Sequence, residues 1–130
     1  MDTSAADVLQ RYATAFAEDH KRAAVDFYTD DVVLRIPGRH AFAGEFRGRG
    51  PALEALNALI STTDGTFGAR EVKDAAFTPA TAMVHVLMGA QRQGRTAEWE
   101  RVILYRLSGQ RIQEITFFDF DLHAVEELLH

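Results

Sequence analysis

Residues 95–121 constrain the fold more than any other stretch, because they contain two long strand-forming runs joined by turn residues. Both runs, 96–107 and 111–121, are rich in Ile, Val, Tyr, Phe and Thr, and Ser108-Gly109 separates them. This pattern predicts a hairpin. Side chains alternate along a strand, so each strand should present one face that combines apolar and charged residues: Trp99, Arg101, Ile103, Tyr105 and Leu107 on the first, and Ile115, Phe117, Asp119 and Asp121 on the second.

These two faces place one guanidinium and one or two carboxylates in an apolar wall, which is suited to binding or transforming a small molecule. A buried charge needs a partner, so Arg101 is expected to meet a ligand or an acid unless a bulge turns it outward. Asp119 has two interpretations. Burial would raise its pKa and suit it to proton transfer, whereas pairing with Arg101 would make it structural. Asp121 is either a second acid or the cap of a helix at the C-terminal end.

Composition limits the class of partner. The chain has 130 residues, a net charge of −5 and no cysteine, which predicts one domain with little affinity for nucleic acid. The N-terminal sequence is acidic where a signal peptide is basic, and no apolar run reaches the length of a membrane span. The expected location is cytoplasmic, away from membranes.

The remaining segments alternate between helix and strand signals. A helix capped by Thr3-Ser4 should run to about Glu18, and a second should follow. The other expected elements are a strand from Val32 to Ile36, a glycine-rich loop over 39–50 with a short strand, a helix from Pro51, strands over 70–77 and 82–92, and a helical turn in the tail.

This order predicts an α+β fold with an antiparallel sheet covered by helices on one face. The strand over 82–92 has one apolar face, but its other face is also half apolar, with Met83, His85, Leu87 and Gly89. Antiparallel sheets usually expose a polar face to water. A second copy of the chain is therefore expected to cover this sheet in a homodimer.

Three segments resemble one superfamily. VLQRYATAFAEDHKRAAVDFYTDDVVLRIPG is similar to the opening of ketosteroid-isomerase-like, nuclear-transport-factor-2-like proteins, and DDVVLRIPGRHAFAGEFRGRGPALEAL and RIQEITFFDFDLHAVEEL resemble their polyketide-cyclase-like (SnoaL-like) branch. The resemblance implies a single SnoaL-like domain over residues 1–130. It also implies a cone-shaped curved antiparallel sheet wrapped by about three helices of the N-terminal half, with an apolar ligand inside and frequent dimers.

The resemblance carries over to individual residues only in part. Tyr12 falls where the steroid isomerases place an oxyanion-hole tyrosine, but Ile36 and Ile103 occupy the positions of their two acids. Arg101 and Asp119 match part of the arginine and acid set of limonene-epoxide-hydrolase-like enzymes, and Ile103 again replaces an acid. The cyclase-like branch implies an acid/base aspartate near the end of the last strand, where Asp119 and Asp121 lie.

Two hypotheses follow. The first is a cofactor-free cyclase or isomerase acting on an apolar, oxygenated, polyketide-like small molecule, with Asp119, Asp121, Arg101 and Tyr12 as catalytic candidates. The second is a ligand-binding or dimeric scaffold module of the same fold without turnover. No HxxH or HExxH spacing suggests a metal site, and His40 and His85 are secondary candidates. The expected pocket is lined by Phe16, Leu34, Ile36, Phe46, Leu56, Met88, Trp99, Ile103 and Phe117.

Overall fold

The structure, a computed structural model, describes residues 5–130, which form four helices and six strands. The first half contains most of the helices, and four strands follow in hairpin succession. The elements in chain order are α1 (Ala5–Glu18), α2 (His20–Phe27), β1 (Tyr28–Ile36), β2 (Gly44–Arg47), α3 (Arg49–Thr62), β3 (Gly68–Phe77), β4 (Thr81–Arg92), β5 (Arg95–Ser108), β6 (Arg111–Asp119) and α4 (Leu122–Leu129).

The six strands form one open sheet in the order β2-β1-β6-β5-β4-β3, and the predicted α+β class is confirmed. The prediction of a wholly antiparallel sheet is wrong at one pair, because β1 runs parallel to β6, with Leu34 opposite Ile115. Hairpin strands must pair antiparallel, but a long connection leaves the direction free. β1 and β6 are separated by most of the chain, so the hairpin rule does not apply to them.

The hairpin of β5 and β6 has the predicted facing of side chains. Arg101 lies opposite Asp119, Ile103 opposite Phe117, and Tyr105 opposite Ile115. These residues share their sheet face with Val86 and Met88 of β4, which pair with Arg101 and Trp99. We call this the inner face, because buried side chains of α1, α3 and α4 join it in a single apolar core.

The element boundaries follow local signals closely. α1 ends at Glu18 as predicted, while its proposed cap at Thr3-Ser4 lies outside the described residues. The strand predicted from Val32 begins earlier, at Tyr28. The predicted helical turn in the tail is a helix of eight residues, α4, whose N-cap is Asp121. Among residues 5–130, no helix is both long and apolar enough to cross a membrane.

Candidate functional site

A buried ion pair between Arg101 and Asp119 is the centre of the inner face. Their side chains are 2% and 1% exposed, and the two residues are direct cross-strand partners on β5 and β6. Arg101 Nε donates to Asp119 Oδ1 over 2.6 Å, and its Nη2 reaches Oδ2 at 3.4 Å. Sequence alternation predicted both side chains on this face. Of the alternatives left open for the two residues, the structure has them paired with each other.

Aromatic rings enclose the guanidinium of Arg101. The Arg101 Cζ atom lies 4.0 Å from the ring centroid of Phe117, 5.4 Å from that of Phe67 and 5.7 Å from that of Trp99. Such contacts favour a desolvated cation. Burial lowers the pKa of Arg101, and the neighbouring carboxylate of Asp119 opposes that shift. The rings and the carboxylate together make this cation tolerable inside an apolar core.

The two oxygens of Asp119 differ in how fully they are bonded. Oδ1 accepts the short bond from Arg101 and a second one from Trp99 Nε1, at 2.9 Å. Among the residues that the structure describes, only Arg101 donates to Oδ2, through the longer bond. A carboxylate oxygen has room for more than one donor. Oδ2 is therefore the atom of this pair with spare capacity for a ligand hydroxyl or a transferred proton.

A cluster of three tyrosines continues the polar interior. Tyr12 on α1 and Tyr28 at the start of β1 share a hydrogen bond of 2.6 Å between their hydroxyls. The ring of Tyr105 meets Tyr12 edge-on, with centroids 6.2 Å apart, and Tyr105 lies on the inner face between Arg101 and Leu107. Tyr105 and Arg101 also interact electrostatically. Polar groups thus extend from the tyrosines to Asp119 inside the apolar core.

Burial of the tyrosines predicts a distinctive response to alkali. The chain has only three tyrosines. Desolvation is the main cause that raises the pKa of Tyr12 and Tyr105, and it raises that of Tyr28 from 10.0 to about 12. A raised pKa stabilises the fold below the unfolded-state value of 10.0, and that contribution is lost as pH rises toward the folded-state value. We expect phenolate absorbance to stay absent at pH 10 and to appear together with unfolding, as judged by circular dichroism.

The matched control for this titration is Tyr12→Phe, which removes one hydroxyl and one hydrogen bond but keeps the ring. Its phenolate signal should fall by one tyrosine, and its free energy of unfolding at neutral pH should fall because the buried Tyr28 hydroxyl loses its partner. A tyrosine that ionises reversibly near pH 10 in the folded protein would contradict the enclosed cluster.

The residues predicted to line a pocket all belong to this core or pack against it. Leu34, Ile36, Leu56, Met88, Trp99 and Phe117 are buried, and Phe16, Phe46 and Ile103 are partly buried around them. Two surface depressions lie elsewhere. One, of about 900 Å³, is between the start of β5 and α4, and the other, of about 370 Å³, is along α1. Neither is lined by Tyr12, Arg101 or Asp119, whose side chains are buried in the core.

Asp121 lies apart from Asp119, although only two residues separate them. Its side chain is the N-cap of α4 and accepts a hydrogen bond of 3.1 Å from the backbone N–H of Ala124. The residue is exposed. Of the two interpretations of Asp121, a second acid or a helix cap, the structure has the helix cap. The side chain lies outside the polar interior.

The two histidine candidates lie in different parts of the fold. His85 is on the outer face, as alternation predicts, where its Nε2 lies 2.9 Å from Glu100 and its ring stacks on Phe120. His40, in the glycine-rich loop, is only 9% exposed. Burial lowers the pKa of His40, while the carboxylates of Glu126 and Asp119 act in the opposite direction. His40 is thus electrostatically coupled to the Arg101–Asp119 pair.

Two of the polar side chains near this pair, Tyr28 and Tyr105, were not among the candidates from the sequence. Tyr105 was on the predicted inner face, so its position carried a signal. Tyr28 opens β1, four residues before the predicted start of that strand at Val32. His40 was a secondary candidate, and nothing in a glycine-rich loop indicates which side chain turns inward. Among residues 5–130, no three His, Cys, Asp or Glu side chains are grouped so that they could hold a metal ion.

Comparison with known proteins supports the fold. No family model matches the chain. The uncharacterized protein Rv0034 of Mycobacterium tuberculosis is 27% identical over 125 residues, which are 96% of this chain and 95% of that protein.

Three solved structures illustrate the structural likeness. Bal32a, from a soil-derived mobile gene cassette, has a TM-score of 0.88 at 20% identity and covers 96% of this chain and 95% of its own. An NTF2-like protein of Burkholderia xenovorans LB400 has a TM-score of 0.79 at 18% identity, with the same coverage of both chains. A protein of Jannaschia sp. CCS1, provisionally assigned as a SnoaL-like polyketide cyclase, has a TM-score of 0.76 at 16% identity. The match covers 99% of this chain and 96% of that protein.

At these identities the likeness establishes the fold, and one fold hosts many functions. The resemblance found in the sequence is confirmed at this level: the chain has the fold of the SnoaL-like, NTF2-like and ketosteroid-isomerase-like proteins.

Proposed function

We propose that this protein binds an apolar, oxygenated small molecule between the inner sheet face and the helices, and that Asp119 exchanges a proton with it. The observation that carries the proposal is the buried Arg101–Asp119 pair with its half-used carboxylate oxygen. A charged pair inside a core contributes less to folding stability than apolar side chains of similar volume. Recognition of the polar atoms of a ligand gives a reason for keeping the charged pair there.

The chemistry follows from the groups beside Asp119. Oδ2 would take a proton from a carbon next to a ligand carbonyl, and the electron pair of that C–H bond would move to the carbonyl oxygen to form an enolate. Hydrogen-bond donors and nearby cations stabilise such an oxyanion, and Arg101 is the nearest cation. The enolate carbon could then close a ring by attack on a second carbonyl, as a polyketide cyclase would require. This proposal invokes no cofactor.

The second candidate is a binding or scaffold module without turnover. It is favoured by the bonds that Asp119 already accepts from Arg101 and from Trp99. A carboxylate engaged in this way has fewer free lone pairs for a substrate. It is favoured also by the hydrogen bond between the hydroxyls of Tyr12 and Tyr28, which pairs these two groups with each other and not with a ligand.

One experiment separates these candidates, because the chain has a single tryptophan. Trp99 Nε1 donates to Asp119, so the one indole N–H resonance in a ¹H–¹⁵N spectrum reports on the pair directly. We expect titration with 2-acetylnaphthalene, an apolar ketone, to shift that resonance until it saturates. In D₂O, an enzyme should also exchange the methyl protons next to the carbonyl of this probe for deuterium faster than solvent does.

Two aspartate variants supply the controls. Asp119→Asn should bind the probe but exchange no protons, since its amide cannot accept them. Asp121→Asn changes an exposed carboxylate that caps a helix, and it should keep both binding and exchange. Saturable binding without exchange would support the non-catalytic binding module, and an unmoved indole resonance across apolar ketones and phenols would contradict ligand binding and leave the scaffold.

The same proposal includes a homodimer through the outer sheet face. Three large apolar side chains on that face are at least half exposed, namely Met83 (51%), Phe118 (51%) and Phe120 (61%). Phe118 lies opposite Val102, which lies opposite His85, so these residues form one continuous surface. An exposed apolar patch of this kind marks an interaction site. A cytoplasmic location stays an expectation from the sequence.

A further inference from the structure

His40 is held in the interior by a tight loop between β1 and β2. Two residues before it, Gly38 has φ of +115°, a backbone conformation that L side chains rarely adopt. A Cβ at Gly38 would overlap Glu126 Oε1 and lie 3.2 Å from His40 Nε2. Glu126 Oε1 in turn accepts the backbone N–H of Arg39 at 2.5 Å. The loop is thus fixed against α4 with the imidazole beneath it.

The hydrogen bonding of the ring identifies its proton. His40 Nδ1 accepts the backbone N–H of Phe42 at 3.2 Å, so in the neutral ring Nδ1 carries no hydrogen and Nε2 does. The charged groups that act on the ring are Glu126, Asp119 and Arg101, and burial outweighs them in lowering the pKa of His40. The ring is therefore neutral near pH 7, with a hydrogen-bond donor at Nε2.

This donor has no acceptor among the described residues. Nε2 is buried and has no partner at hydrogen-bond distance and angle, and the backbone of Pro37 has only a weak effect on the ring, smaller than those of burial and of Glu126. Buried polar groups are almost always paired. A donor that is desolvated by the fold and left unpaired is suited to receive an atom that the protein itself does not supply.

We propose that His40 is a ligand-binding residue whose Nε2–H donates to a neutral carbonyl oxygen of the small molecule held beside Arg101 and Asp119. The inference rests on the proposed function and specifies its substrate class. Glu126 and Asp119 bring two carboxylates near the ring, and Arg101 is already paired with Asp119. A ligand carboxylate would be repelled there, so ketones and esters fit this donor and carboxylic acids do not.

A matched pair of probes tests this assignment. 2-Acetylnaphthalene carries the carbonyl, and 2-isopropenylnaphthalene has the same shape with a CH₂ group in place of the oxygen. The wild-type protein should bind the ketone about tenfold more tightly than the alkene, which is the usual effect of leaving a buried donor unpaired. The infrared carbonyl band of the bound ketone should also shift to lower frequency.

Three variants complete the experiment. His40→Phe keeps an aromatic ring without the donor, so the preference for the ketone and the infrared shift should both disappear while alkene binding stays. His40→Gln offers an amide N–H and should restore part of the preference. His85→Phe alters a histidine on the outer sheet face, where it bonds to Glu100, and should leave the preference unchanged.

The outcomes separate the two proposals. If both probes bind the wild-type protein equally, or if His40→Phe keeps the preference, His40 is not the ligand donor while the small-molecule site stands. If neither probe binds the wild-type protein, the proposed function falls and the assignment of His40 falls with it.

Discussion

Replacing Asp119 with alanine is expected to lower the free energy of unfolding by about 3–5 kcal/mol, the usual result of removing one member of a buried ion pair. Arg101 is 2% exposed, so the variant would leave a cation in an apolar core without its counter-charge. Trp99 Nε1 would lose its acceptor in the same change. Urea-induced unfolding, followed by circular dichroism and by the fluorescence of Trp99, measures the loss.

Two variants show whether this loss comes from the uncompensated charge. Asp121→Ala removes a neighbouring aspartate whose bond is to Ala124 at the helix cap, and it should cost about 0.5–2 kcal/mol. The double variant Arg101→Met, Asp119→Leu removes both charges and should recover most of the stability, except for the unpaired indole N–H. Equal losses in Asp119→Ala and Asp121→Ala would mean that Arg101 reaches water and that the pair is not enclosed.

The stability lost on removing the Asp119 charge affects how function is tested. Asp119→Asn keeps the shape of the side chain but not its charge, so Arg101 is again left without a counter-ion. Loss of proton exchange in that variant is informative only while the protein stays folded. The indole N–H resonance of Trp99 reports the folded site directly, which is why binding and exchange should be measured on one sample.

Sequence alternation was sufficient to place the central pair. Two strands with a short turn between them fix which residues share a face, so Arg101 and Asp119 could be predicted on the inner side of the hairpin. Their direct pairing could not be predicted, because a bulge between Arg106 and Leu107 shifts the register. A shift of one residue elsewhere would have separated the guanidinium from the carboxylate.

The rest of the candidate site depends on contacts between distant parts of the chain. His40 is buried because Glu126, 87 residues after Arg39, binds the backbone of the loop. The parallel pairing of β1 with β6 likewise joins segments separated by most of the chain. Local patterns contain no information on such contacts, and so the sequence suggested an antiparallel sheet and left the orientation of His40 open.

The second large effect is expected on the outer face of the sheet, where the apolar patch of Met83, Phe118 and Phe120 borders charged groups. Glu100 Oε1 lies 2.9 Å from His85 Nε2 and 3.5 Å from Lys73 Nζ. An acidic side chain and two basic ones are therefore adjacent at one side of the patch. A twofold axis can bring each group of one copy against its opposite in the other. Two copies of this surface can therefore match each other in charge as well as in apolar character.

Replacing Phe118 with glutamate should convert a dimer of the 14.5 kDa chain into a monomer, because an apolar contact becomes a buried unpaired charge. Light scattering coupled to gel filtration measures the mass, and ligand titration by the Trp99 resonance shows whether the interior survives.

Val25→Glu is the matched control, since Val25 is 52% exposed on α2 and Phe118 is 51% exposed on the sheet. That variant should stay dimeric, and a wild-type protein that is already monomeric would contradict the interface. A monomeric Phe118→Glu protein that still binds the probe would show that the site inside one copy is complete without the second.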